Sequence, residues 1–376
     1  MTLDALGAAA PSEPTEPTPR LIVQARGLMI EAQGELHVLI VDTTSGRRAR
    51  IGRGAYQLLC RFAEPTTLEA GTTGDADGRW ARGVRALLER GLLVDAANPP
   101  VHAVAPRRAV PLRFCHAPAA APGDEPDITV LGVPYDLGGT GNHRDAPSLI
   151  RTKSQDYVYL VDFDSRLPLG WHDGAAGHRI MAGVSLCDAG DVPVHFGEEQ
   201  AETMDRIGAA LATLPGVASL PVILGGDATS TYAAARHAAL SGPLSVVRIA
   251  AHPAGVVPDD ELVCVENLDR QLARLGGVRR VQTLQGLPAR GALPSGNVFL
   301  ALDLGALDLA VPRQGRGLTI DETDALVAAV AVSGRLVGMN VTGLDMDRPE
   351  APLAAVAACH VILRAMHRAV ASRRRA

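Results

Sequence analysis

Lysine is almost missing from this 376-residue chain: Lys153 is the only one, so 35 of the 36 Lys and Arg residues are arginine. With 39 Gly and 26 Pro alongside, that bias reads as GC-rich coding, although an arginine-specific surface would leave the same trace. Aromatic residues are only 3% of the chain, which argues against stacking platforms for bases or sugars. The five cysteines (Cys60, Cys115, Cys187, Cys264, Cys359) are scattered with no CxxC pair, so a disulfide framework and a cysteine-type zinc site are not expected. No apolar run approaches the roughly 18 residues of a membrane span. Residues 1–20 have neither the basic start nor the apolar segment of a targeting peptide, and a cytoplasmic protein away from membranes is expected.

What is present is core material. Hydrophobic residues are 47% and charged residues 20% of the chain, which excludes a largely disordered protein. The net charge of −5 speaks against nucleic acid as a partner of the whole chain. The length suits one large domain plus an appendage.

Along the chain, 1–19 reads as a flexible tail and 20–97 as a small α+β domain. Short β-rich runs at Leu28–Glu31, Leu36–Val41 and Arg48–Ile51, punctuated by Gly34 and Ser45-Gly46, predict an antiparallel meander. Helical spacing follows at Tyr56, Leu58, Leu59, Phe62 and again at Trp80, Val84, Leu87, Leu88, with Gly91 as a stop. Seven prolines between Asn98 and Asp127 predict a stiff linker or strap over 98–126. Residues 127–372 then alternate apolar runs with helical stretches. The runs are Ile128–Val133, Ser185–Asp188, Pro221–Gly225, Leu244–Ala250, Arg280–Gln285, Val298–Leu304 and Leu336–Val341. Most lack period-2 alternation, the pattern of strands buried on both faces in a parallel sheet wrapped by helices. Function is expected at the carboxyl ends of such strands.

Four strand-end segments together resemble the ureohydrolases (arginases, agmatinases and relatives): Gly132-Val-Pro-Tyr-Asp-Leu-Gly138 running to Ala146-Pro-Ser-Leu-Ile-Arg151, Asp188-Ala-Gly-Asp-Val-Pro-Val194, Pro221-Val-Ile-Leu-Gly-Gly-Asp227, and Phe299-Leu-Ala-Leu-Asp-Leu-Gly-Ala-Leu-Asp308. The resemblance implies a three-layer α/β/α arginase-like fold with a central parallel sheet, often oligomeric. It also implies two manganese ions held by His and Asp, which make a bridging water nucleophilic towards a guanidinium carbon. Residue by residue, the implied ligand set is broken. Ala228 stands where the family's Gly-Gly-Asp-His has its histidine. Ala250 and Ala254 stand where Asp-Ala-His-x-Asp has carboxylates, leaving His252. Gly305 replaces the second carboxylate of Asp-x-Asp, leaving Asp303. Four of six ligands are gone, so no cofactor and no catalytic residue is expected. His252 and Asp303 read as residual ligand positions, and Asp191, Asp227 and Asp308 as loop-holding residues. Gly343 falls where the family places an acidic group for the substrate, with Asp345, Asp347 and Glu350 nearby. His143 is the least bland of the other histidines.

The amino-terminal meander and helices resemble the winged-helix domains that recognise precursor peptides in ribosomal peptide natural-product pathways, similar to the pyrroloquinoline quinone chaperone. The resemblance rests on Val38–Asp42, Gly46–Ile51, Ala55–Phe62, Glu64-Pro-Thr and Leu87–Leu93. It implies a leader peptide added as a strand beside the third strand and the last helix. The groove residues are then Arg48, Arg50, Ile51, Arg82 and Arg85, with Arg47, Arg53, Arg79 and Arg90 nearby, and guanidinium groups suit an acidic peptide. Three functions follow. The first is a non-catalytic partner that presents a precursor peptide to a separate maturation enzyme, such as an iron-dependent oxidase. The second is a diverged peptide arginase with a rebuilt metal site. The third is a regulatory subunit in a homo- or hetero-oligomer with an active ureohydrolase.

Overall fold

The computed structural model describes residues 20–374 except 26–27, 43–47, 98–106, 140, 175, 196–197, 217, 252–261, 290 and 309–316. The expected tail 1–19, the first part of the proline-rich stretch, Arg47, His252 and Ala254 lie outside the described residues. The chain divides into two compact units, one of residues 1–104 with 195–197 and one of residues 105–194 with 198–376.

The smaller unit runs β1 Leu21–Gln24, β2 Leu28–Gln33, β3 His37–Asp42, β4 Arg48–Gly52, α1 Arg53–Cys60, β5 Thr66–Thr67, α2 Leu68–Gly71, α3 Arg79–Glu89 and β6 Leu93–Asp95. The meander is present as the antiparallel sheet β2-β3-β4. Alternation sets its core face, where Val38, Ile40 and Ile51 meet Leu58, Leu59 and Phe62 from the α1 end and Val84 and Leu87 of α3. A second small sheet, β5-β1-β6, was not foreseen. Its strands are two to four residues long and come from distant parts of the chain, so local periodicity carries no trace of them.

The larger unit contains β7 Ile128–Gly132, α4 Ala146–Lys153, β8 Trp171–Asp173, β9 His178–Ile180, β10 Leu186–Asp191, α5 Gln200–Ala212, β11 Leu220–Leu224, α6 Ser230–Ala239, β12 Leu244–Ile249, α7 Leu268–Arg274, β13 Val278–Leu284, β14 Asn297–Asp303, α8 Ile320–Ser333, β15 Arg335–Thr342 and α9 Ala351–Arg373. The seven apolar runs become the seven strands of one sheet, ordered β10-β7-β11-β15-β14-β12-β13, every pairing parallel. β7 and β12 are buried along their whole length. Side chains alternate between two cores: Val130, Val222 and Leu300 face α4, α8 and α9, while Leu131, Ile223 and Phe299 face α5, α6 and α7. This is the three-layer α/β/α architecture.

Of the proline-rich stretch, residues 107–120 form an ordered strap along the outer edge of β10, bridging at Arg108↔Asp191 and Ala119↔Asp188. Phe114, Cys115 and Ala117 of the strap are fully buried, so apolar side chains anchor it where a solvated linker would have none. Among the described residues α9 is long and apolar enough to cross a membrane by length and composition, with 72% of its apolar window buried within the protein. Its Arg364 is a buried partner of Asp173 (2.6 and 2.7 Å) and Asp324 (3.1 Å).

Candidate functional site

The ends of β11, β14 and β15 meet around two carboxylates. After β11 the chain turns through Gly225 and Gly226, both left-handed, at φ 79° and 76°. A Cβ on Gly225 would lie 2.4 Å from Pro147, so only glycine lets this turn pack under α4. The turn delivers Asp227 into the interior. One oxygen accepts from the Gly138 amide (2.7 Å), and the other from the Thr229 amide (2.8 Å) and the Thr229 hydroxyl. Asp227 therefore ties the β7 loop to the β11 loop. Ala228 and Ala250, beyond β11 and β12, are buried methyl groups with no donor atom.

Asp303, at the end of β14, accepts from the Gly305 amide at 2.9 Å. Facing it, Gly343 has φ 77°, and a Cβ there would come within 1.9 Å of Asp303 Oδ1. The glycine thus makes room for the aspartate. No group of three or more His, Cys, Asp or Glu placed to hold a metal ion occurs among the described residues.

The β7 and β15 loops close over this end of the sheet. His143 Nδ1 lies 3.0 Å from the Leu344 carbonyl. Asp345 accepts from the amides of Asn142 and Asp347 (both 3.2 Å) and from Arg348 (3.1 Å). Burial works against its charge, but these donors outweigh it and hold the carboxyl below its ordinary range. Asp347 accepts from the Asn142 side chain at 3.0 Å. Asp136 has the opposite balance. Burial lifts it above the usual carboxylate range against the His143 amide and imidazole, and its Oδ1 is buried with no hydrogen-bond partner among the described residues.

A third group lies beside α4. Arg151, fully buried, donates to Asp188 (2.8 and 3.0 Å), Asp191 (2.5 Å) and the Gly190 carbonyl (3.0 Å). Asp188 also accepts from the Phe114 and Gly190 amides. The Ala146–Arg151 and Asp188–Val194 segments thus join through a buried ion cluster. That contact was invisible in the sequence, where the arginine and the aspartates are 37 and 40 residues apart.

In the smaller unit β4 is an edge strand. The Arg53 amide donates to the Leu36 carbonyl (3.0 Å), and antiparallel alternation then turns the main chain of Ile51 and Ala49 towards β3 and that of Arg48, Arg50 and Gly52 outward. Ile51 is buried in the core and presents neither side chain nor main chain at the edge. Arg48 is exposed and paired with Glu31 (2.7 and 3.0 Å), Arg50 lies 3.3 Å from His37, Arg82 donates to the Asp77 carbonyl (3.3 Å), and Arg85 is exposed. α3 packs mainly on α1 and β6, and β4 on β3 and α1.

Residues 126–255 match the family model described as Arginase family. The larger unit has an arginase-like fold. Solved structures similar to this chain include proclavaminate amidino hydrolase from Streptomyces clavuligerus (20% identity, 71% of this chain and 99% of that one, TM-score 0.52). A hypothetical agmatinase from Burkholderia thailandensis (20%, 71% and 92%, 0.55) and formimidoylglutamase from Bacillus subtilis (18%, 71% and 95%, 0.53) are also similar. A search of curated proteins finds no match. At these identities the likeness establishes the fold of the arginase-like unit.

Proposed function

We propose that this protein is a non-catalytic member of the ureohydrolase fold that binds an acidic ribosomal leader peptide through its smaller unit and presents it to a separate maturation enzyme. The observation that carries the reading is the donor set at the strand ends. Two manganese ions need several oxygen and nitrogen ligands converging from adjacent strands. Here Ala228, Ala250 and Gly305 offer no side-chain donor, and Asp227 is occupied by three donors from its own and a neighbouring loop. That set does not fit a binuclear metal centre, and no hydrolytic step is assigned to it.

The peptide half of the proposal draws on the β4 edge. Outward amides and carbonyls at Arg48, Arg50 and Gly52 suit an added strand, whose main-chain bonds tolerate most side chains. Specificity then falls to flanking charge. Arg50 and Arg85 have no carboxylate partner among the described residues, whereas Arg48 is already neutralised by Glu31.

Calorimetric titration with a synthetic acidic leader-type peptide tests the binding. Arg50→Ala with Arg85→Ala should weaken it at least about tenfold, roughly 1.4 kcal/mol. Affinity should also fall with added salt, because exposed charges are screened over about 8 Å at physiological ionic strength. Duplex DNA binding without peptide binding would discard this half. Elemental analysis after manganese loading tests the other half: well under one ion per chain and no urea from arginine, agmatine or an arginine-containing peptide are expected. Near-stoichiometric binuclear metal would sink it.

A further inference from the structure

The strap of residues 107–120 makes main-chain bonds to the outer edge of β10 at two places among the described residues. Arg108 and Asp191 exchange main-chain bonds (2.6 and 2.8 Å), and further along the Asp188 amide donates to Pro118 and the Ala120 amide to Asp188 (2.9 and 3.0 Å). Between these anchors the strap and the strand line a half-open cleft of about 320 Å³, at the small end of the range for ligand pockets.

The charge of this cleft is not balanced from inside. Arg107 and Arg113 line it, with Asp188 as its one carboxylate. Asp188 is already saturated: it accepts two bonds from Arg151 and one each from the Phe114 and Gly190 amides. Asp124, just beyond the strap, accepts from the Ala121 amide at 2.7 Å. Arg113 donates Nε to the Ala117 carbonyl (2.8 Å), and its terminal nitrogens have no hydrogen-bond partner among the described residues. Arg107 forms no ion pair among the described residues. Ala109 and Val110 also line the cleft, and their main-chain amides donate to no acceptor among the described residues. Val110, Ala109, Ala119, Ala120 and Ala189 supply the apolar part of the wall.

The geometry points to a binding site for a small aliphatic carboxylate, with the anion held by Arg107, Arg113 and the strap amides and the hydrocarbon against the alanine wall. Guanidinium groups take carboxylate and phosphate alike. The methyl lining selects a ligand with an aliphatic body over a bare phosphate. The site lies on the outer edge of the sheet, two strands from β11, and is independent of the peptide-recognition reading.

Isothermal titration of the full chain with succinate, its neutral diamide and inorganic phosphate tests the inference. Succinate should bind saturably and at least about tenfold more tightly than phosphate, and the diamide should not bind. Arg107→Gln with Arg113→Gln should weaken succinate at least about tenfold. Because Arg113 also holds the Ala117 carbonyl, Arg107→Gln alone is the second variant. It removes no protein hydrogen bond and should weaken succinate about threefold, the scale of a rim contact. The assignment is overturned by an absence of saturable succinate binding, by unchanged affinity in the two variants, or by phosphate binding as tightly as succinate.

Discussion

Arg151 shows how much depends on single side chains here. Among the described residues it is the sole guanidinium paired with Asp188, and Asp191 has only the more distant Arg108 besides, at 3.8 Å. Removing one partner of a buried ion cluster leaves charge without solvent or counter-charge. Arg151→Met should therefore destabilise the arginase-like unit by about 3–5 kcal/mol in chemical denaturation. The same variant with Asp188→Asn should recover part of that loss. Gly343 is constrained by contact of another kind. Gly343→Ala puts a methyl group against Asp303 in a left-handed conformation and should cost about 1–3 kcal/mol. In Asp303→Ala the steric part disappears while the backbone part remains, so the double-mutant cycle should show favourable coupling.

Two histidines set a pH dependence. Burial lowers the pKa of His237, and burial together with His178, Arg368 and Arg374 lowers that of His367. His367 Nδ1 accepts from the Met181 amide at 3.2 Å, a bond that protonation removes. With folded values below the unfolded value of about 6.5, the unfolded chain binds more protons as the solution is acidified. The contribution is thus present above about pH 6.5 and lost as pH falls through the folded values. Denaturation midpoints should decline from about pH 7.5 to 5.5, and His237→Gln with His367→Gln should flatten that decline.

At the scale of elements, α8 begins with a capping box: Thr319 accepts from the Glu322 amide and Glu322 from the Thr319 amide. Thr319→Ala should cost about 1 kcal/mol by thermal or chemical unfolding. Thr319 and Glu322 have the capping-box spacing. The seven sheet strands were legible in the sequence: a strand buried on both faces must be apolar throughout, and that pattern is local. The strap was half legible. Its prolines forbade regular structure, but nothing local announced that Phe114 and Cys115 would be buried while two arginines stayed at a cleft.

At the scale of the whole molecule, the smaller unit has its own apolar core. A fragment of residues 20–97 should unfold cooperatively in urea and give dispersed amide resonances. If it is unfolded while the full chain is stable, the boundary near residue 98 is misplaced. Apolar runs and turn residues by themselves determined the parallel sheet and the amino-terminal meander, because burial on one or both faces is written into neighbouring residues. The strand-end motifs likewise pointed to the arginase-like fold. Only the tertiary structure decided which charges compensate one another: Arg151 with Asp188 and Asp191, Arg364 with Asp173 and Asp324, Arg48 with Glu31, and Arg107 and Arg113 with none among the described residues. Pairing energy depends on distance and on exclusion of water, and folding sets both between residues that the sequence keeps far apart.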